Sequence, residues 1–190
     1  MNLAAVALAA ALLAPAPAPD CKSKAIGQPS HGRLECGRQL PVASVDYTTW
    51  DNALQRPLNR PWRRYGTQKL IRITERVAAD YDARWGTRIV IGDLSRPHGG
   101  PFGPEFGGIG HASHQNGVDV DIYYPRRDRL ELPPFTVREV DLTRAQWLVD
   151  RVDQDAKVAF IGPNVGLRRP SSRVEYLAHH DNHVHLRIRR

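Results

Sequence analysis

Cysteine is nearly absent from this 190-residue chain; Cys21 and Cys36 are its only two. One pair in an exported chain suggests a single disulfide closing an N-terminal loop, with two free thiols as the alternative. A zinc role for either is disfavoured, because neither has a close Cys or His partner in the sequence. Lysine is scarce too: of 27 basic residues only Lys22, Lys24, Lys69 and Lys157 are lysines. The net charge is +7, yet no long basic run appears. Helix-turn-helix, zinc-finger and aromatic RNA-reading motifs are all missing, so the charge points to an acidic, polyanionic environment rather than to nucleic acid. An arginine-biased composition without meaning for a partner is the alternative. A long apolar run is also lacking. Residues 3–14 are twelve apolar positions, against the roughly 20 that a membrane-spanning helix needs. Their length fits the core of a signal peptide, although no Lys or Arg precedes them. No internal repeat and no linker follow residue 20, and 41% hydrophobic with 25% charged residues suits one folded domain.

Apolar spacing supplies two helices. Leu70, Ile73, Val77, Tyr81 and Trp85 recur at three and four residues, which predicts a helix over 67–85 stopped by Gly86. A second is predicted over 142–155, opened by Thr143 with Gln146 three residues on. Strands are predicted over 88–94, 117–124, 157–161 and 183–189. In the second of these, Val118, Val120 and Ile122 fall on one face and Asp119 and Asp121 on the other. Residues 95–110 hold six glycines and three prolines, a loop too long for a plain connection and therefore a candidate active-site loop. The expected fold class is α+β: a small antiparallel sheet of about four strands with flanking helices and long active-site loops.

Histidine is where the chain concentrates its chemistry. Six of its eight histidines sit in GHASHQNGVDVDIYY (110–124) and HHDNHVHLRIRR (179–190). His114 precedes Asp121 by seven residues with the Asn116–Gly117 turn between them, so the histidine can fold back toward the start of the strand. His183 and His185, two apart on a strand, point to one face. Ligands of the His/Asp/His kind, with a fourth position left to water, define a catalytic zinc site; a structural one takes four protein ligands and favours cysteine. A histidine left over beside the metal can shuttle a proton. Asp119 shares a face with Asp121 and is a candidate for orienting a ligand histidine, a solvated strand residue being the alternative. His179 is expected to be exposed.

The strings IGDLSRPHGG and GHASHQNGVDVDIYY, with HHDNHVH, resemble the penicillin-insensitive murein endopeptidases, zinc peptidases related to D-Ala-D-Ala carboxypeptidases and to lysostaphin-type peptidases. Segments 25–41 and 63–71 look like family segments in the same order, so the resemblance covers most of the chain from residue 25. It implies that His114, Asp121 and His185 bind zinc, with His111 as an auxiliary ligand or substrate contact. It implies His183 as general acid/base and His180 as a second catalytic candidate, standing where carboxypeptidase relatives carry a glutamate. Arg96 or His98 would reach a substrate carboxylate. The chain so implied is a signal peptide or anchor over 1–19 followed by a single zinc peptidase domain over 20–190, exported to the periplasm or cell envelope. Its partner would be a peptidoglycan peptide, and its reaction the penicillin-insensitive hydrolysis of cross-links between D-alanine and meso-diaminopimelate. A zinc D-Ala-D-Ala carboxypeptidase or dipeptidase is one alternative. A wall-binding protein that keeps zinc but not catalysis is the other.

Overall fold

The computed structural model describes residues 21–106 and 111–190; the signal or anchor expected over 1–19 lies outside them. An N-terminal hairpin, β1 (Lys24–Gln28) and β2 (His31–Glu35), is tied down by the Cys21–Cys36 disulfide. The main sheet is built from β4 (Tyr47–Asp51), β5 (Arg56–Pro57), β7 (Ile89–Ile91), β8 (Asp119–Tyr123), β9 (Ala156–Ile161), β10 (Val174–Tyr176) and β11 (His183–Ile188). The short β3 (Arg38–Gln39) and β6 (Tyr65–Gly66) pair separately. The order across the main sheet is β10-β9-β11-β8-β7-β4-β5. This corrects the expected small antiparallel sheet of about four strands. The sheet has seven strands and is mixed, because β4 pairs parallel to β7 and β10 parallel to β9. The four expected strands are its centre, and the α+β class stands.

Two helices cover one face. The first, α1 (Gln68–Trp85), buries Leu70, Ile73, Val77 and Tyr81 of the apolar stripe and half-buries its last residue, Trp85. Thr67 caps it by accepting from the Leu70 N–H at 3.2 Å, and Gly86 ends it at φ +62°, a left-handed conformation that glycine adopts without steric cost. The second, α2 (Leu142–Asp153), starts two residues earlier than a cap at Thr143 allows. Asp141, not Thr143, accepts from the Arg144 N–H at 3.1 Å, because a carboxylate one residue ahead of the first turn reaches that donor and Thr143 already lies within the helix. Beneath both helices, Val118, Val120 and Ile122 of the β8 region and Val184, Leu186 and Ile188 of β11 join one core with Leu70, Val77, Leu148 and Val152. Each such side chain contributes about 1.5–3 kcal/mol on burial.

The alternation that sends these residues to the helices sends Asp119, Asp121, His183, His185 and Arg187 to the other face. β11 lies antiparallel to β8 in a register that sets His185 opposite Asp121 and Arg187 opposite Asp119. Two segments 64 residues apart in sequence thus become neighbours at the middle of the sheet.

Candidate metal centre

His114 sits on the loop entering β8 with φ +66°, a left-handed conformation uncommon for a residue with a side chain. Asp119 holds it there: its Oδ2 accepts from the His114 backbone N–H at 2.9 Å. Gly117 completes the turn at φ +74°; a Cβ there would lie 2.8 Å from Leu34 of the hairpin. The hairpin braces the same loop through Gln115 N–H to the Pro29 carbonyl, 2.9 Å, and the Asn116 amide to the Gly27 carbonyl, 3.2 Å.

So held, the buried His114 ring turns Nε2 toward the sheet. It lies 3.4 Å from Asp121 Oδ1 and 3.2 Å from His185 Nδ1. His185 Nδ1 is 3.0 Å from the same Asp121 oxygen. Ligands 2.0–2.1 Å from one tetrahedral ion stand about 3.3 Å apart. The three atoms have that spacing, and two imidazole nitrogens facing each other and a shared carboxylate oxygen are a donor set that one cation can satisfy. His111 joins from the loop side: its Nδ1 is 3.6 Å from Asp121 Oδ2, and His111, His114 and Asp121 together offer ligand atoms within 4.8 Å of one another.

The outer nitrogens of two rings face carboxylates. His185 Nε2 lies 3.5 Å from Asp119 Oδ1, an ion-pair distance, and that oxygen accepts from Arg187 Nε at 2.7 Å. His111 Nε2 meets Asp93 Oδ2 at 2.9 Å, and the fully buried Arg63 grips Asp93 through Nε at 2.8 Å and Nη2 at 2.6 Å. Such carboxylate–histidine pairs fix ring orientation and raise ligand basicity. Asp93 and Arg63 were not singled out by the sequence as site residues. The Asp93 position lies in the quoted IGDLSRPHGG string, but only the folded chain pairs it with Arg63 and His111.

His183 and His180 flank the cluster. His183 Nε2 is 3.6 Å from Asp121 Oδ1, and Nδ1 is 2.7 Å from the Asn182 amide oxygen. An amide oxygen only accepts, so Nδ1 carries the proton and Nε2 presents a lone pair to the cluster. His180 stacks 4.8 Å from His183, its Nδ1 bonded to the Ala178 carbonyl at 2.8 Å. Phe160 and Tyr123 wall the rings, at 5.6 Å from His185 and 6.0 Å from His183. His179 is exposed. Arg96 is occupied within its own loop, stacked 3.5 Å over Phe106 and donating to the Pro101 carbonyl, while His98 is exposed.

Three buried carboxylates, Asp93, Asp119 and Asp121, face two arginines, Arg63 and Arg187. The excess negative charge falls at Asp121. Burial opposes ionisation there, but the histidines around it, His114 and His183 first, hold its pKa well below the usual carboxylate range. His185 shows the reciprocal effect: burial lowers it, and Asp119 and Asp121 outweigh burial to raise it to about 9. Burial lowers His114, and it brings His183 down to about 4 and also lowers His180. At His111, burial is outweighed by Asp121 and Asp93, which raise it. The buried carboxylate of Asp121 at the centre, with ring nitrogens on every side, suits a divalent cation.

Residues 25–164 match the penicillin-insensitive murein endopeptidase family. The chain is similar to the penicillin-insensitive murein endopeptidase of Escherichia coli (strain SE11), with 31% identity over 169 residues, covering 83% of this chain and 54% of that protein. It is 32% identical over 136 residues to the protein of the same name from Salmonella paratyphi B, covering 71% of this chain and 42% of that protein. The chain thus spans about half the length of the relatives it matches. The extent of the family match, over the same strands and loops that build the cluster from His111 to Asp121, decides the classification: this chain belongs to the penicillin-insensitive murein endopeptidase family.

Proposed function

We propose that this chain is an exported, zinc-dependent endopeptidase that hydrolyses peptide cross-links of peptidoglycan, of the D-alanine to meso-diaminopimelate type, with residues 20–190 as its single catalytic domain. The observation that carries the reading is the mutual spacing of His114 Nε2, Asp121 Oδ1 and His185 Nδ1. Family membership supports the reaction class. Among the described residues no helix is long and apolar enough to cross a membrane, which is compatible with action in the periplasm or elsewhere in the envelope.

In this reading His114, Asp121 and His185 hold the ion and His111 is an auxiliary ligand. Zinc at such a site supplies a Lewis acid for the scissile carbonyl and acidifies water. His183 does the proton work. Its Nε2 lone pair takes a proton from the attacking water and returns it to the leaving amine, while Asn182 keeps Nδ1 protonated and the ring aligned. His180, stacked on His183, supports or shares that role. Asp119 and Asp93 keep His185 and His111 turned toward the cluster.

The bond cleaved is tested by giving the purified full chain a cross-linked muropeptide dimer and, separately, a monomeric pentapeptide. Conversion of dimer to monomers with the pentapeptide left intact is expected. Release of D-alanine from the pentapeptide with the dimer untouched would assign a carboxypeptidase instead.

A further inference from the structure

Lys69 and Lys157, far apart in sequence, gather with the neighbouring Lys22 and Lys24 along a set of adjoining grooves. Lys157 lines a groove of 390 Å³ with Arg187, Arg189 and Arg190. Arg190 also lines the adjoining groove with Lys24 and Lys69, and Lys69 continues into a third with Lys22. The first two grooves adjoin at Arg190 and the last two at Ser23 and Lys69, and together they make up a cationic trough. Lys22, Lys24, Lys69, Lys157, Arg189 and Arg190 are exposed, and none of them is in an ion pair among the described residues. Among the described residues the one side-chain carboxylate lining the trough, Asp155, is already held by Arg76 and Arg151.

All four lysines line these grooves together with Arg187, Arg189 and Arg190, so cationic charge is locally dense there. β11 and the two arginines after it carry residues of both the metal centre and the trough. His183, His185 and Arg187 share one sheet face, and Arg187 reaches both Asp119 and the trough. From His185 to Arg189 is about 13 Å along the strand, the span of a few extended peptide units. No exposed large hydrophobic side chain among the described residues lines the trough, so it lacks the apolar anchors of a bilayer-inserting surface. Its concavity suits a strand rather than a plane, and its charge repels a second copy of itself.

We propose that this trough is an extended subsite, outside the metal centre, that holds the carboxylate-bearing stem peptides of intact peptidoglycan. The proposal rests on the peptidoglycan reading above and adds the surface by which the chain grips insoluble substrate. Lysine and arginine attract peptide carboxylates over several ångströms and raise the local substrate concentration, with a strength that falls as salt screens them.

Binding to insoluble peptidoglycan separates this from hydrolysis. The full chain is sedimented with purified sacculi over a salt series, beside a K69E/K157E variant and a charge-matched R168E/R169E control on two exposed arginines outside the trough. K69E/K157E is expected to bind about tenfold or more weakly and to lose its salt dependence, and the control to stay within about twofold of wild type. Sacculi whose carboxylates have been converted to neutral amides should bind wild type as weakly as untreated sacculi bind K69E/K157E. Thermal melts check that both variants fold, and the milder K69A/K157A variant should give an intermediate loss. Equal binding by K69E/K157E, or undiminished binding to amidated sacculi, overturns the proposal. So does binding to phosphatidylglycerol vesicles in place of sacculi, which would make the trough a membrane-docking surface. Failure of the endopeptidase reading has a different signature: a soluble dimer left uncut by a chain that still grips sacculi through Lys69 and Lys157.

Discussion

Asp121 Oδ1 is the point on which the site converges, with ring nitrogens of His185, His114 and His183 at 3.0, 3.4 and 3.6 Å. The two strand histidines differ in what stands behind them. His185 is backed by Asp119, a carboxylate that favours a metal-ligating ring; His183 is backed by the Asn182 amide, which fixes a tautomer without adding charge. Substituting each therefore has a distinct expected outcome. His185→Ala should abolish stoichiometric metal binding and activity together. His183→Ala should keep the metal while turnover drops about 10²- to 10⁴-fold. Metal analysis by mass spectrometry beside single-turnover kinetics reads both; loss of metal in His183→Ala would reverse the two roles. At this scale the grouping of these histidines around Asp121 was legible in the sequence, since a two-residue spacing on a strand and a turn between His114 and Asp121 are local signals. Arg63 and Asp93 were not, because nothing local says that an arginine before α1 and an aspartate after β7 will be buried against each other.

The elements that carry these residues owe their placement to long-range pairing. The hairpin β1–β2 contributes no candidate ligand but bonds the loop that presents His114 at Gln115 and Asn116. Opening the disulfide that closes it, across 15 residues, is expected to cost about 3 kcal/mol of stability and to speed metal loss to a chelator. Reduced and oxidised chain compared by denaturation and chelator kinetics check this; identical metal release would mean the hairpin is a bystander. At the far end of α2, Asp153 accepts from Arg173 at 3.0 Å and from Ser171 at 2.7 Å, tying the helix to the approach to β10. Arg173 lowers the Asp153 pKa against the effect of burial. A carboxylate depressed in the folded state stabilises above its unfolded pKa and loses that contribution as pH falls through the folded value. Asp153→Asn should therefore lower the melting temperature at pH 7 and match wild type near pH 2, by thermal melts across pH. A constant difference at every pH would refute the linkage. The four central strands were readable because their apolar residues cluster or alternate. β4 was not: Thr48, Thr49 and Asp51 are buried polar residues whose partners, such as the Val42 carbonyl and Arg60, lie elsewhere in the chain. The parallel pairing of β4 with β7 through α1 has no local signal either, which is why a four-stranded antiparallel sheet was expected.

The whole molecule separates its functions by sheet face and by charge. Apolar residues fill the helix side, histidines and carboxylates the opposite side, and the unpaired lysines the trough at the far end of β11. Its net charge of +7 takes on meaning only with that distribution, which the sequence could not give because Lys22, Lys24, Lys69 and Lys157 come together only through the fold. The central claim is that the two histidine-rich stretches form one metal site that hydrolyses cross-links without a serine nucleophile. Its most direct test is to incubate the purified full chain with a cross-linked muropeptide dimer and follow products by mass spectrometry, with zinc, with a chelator, and with zinc plus penicillin. The account predicts monomers with zinc, none with the chelator, and no effect of penicillin. Cleavage that survives the chelator, or an intact dimer beside stoichiometrically bound zinc, would contradict it.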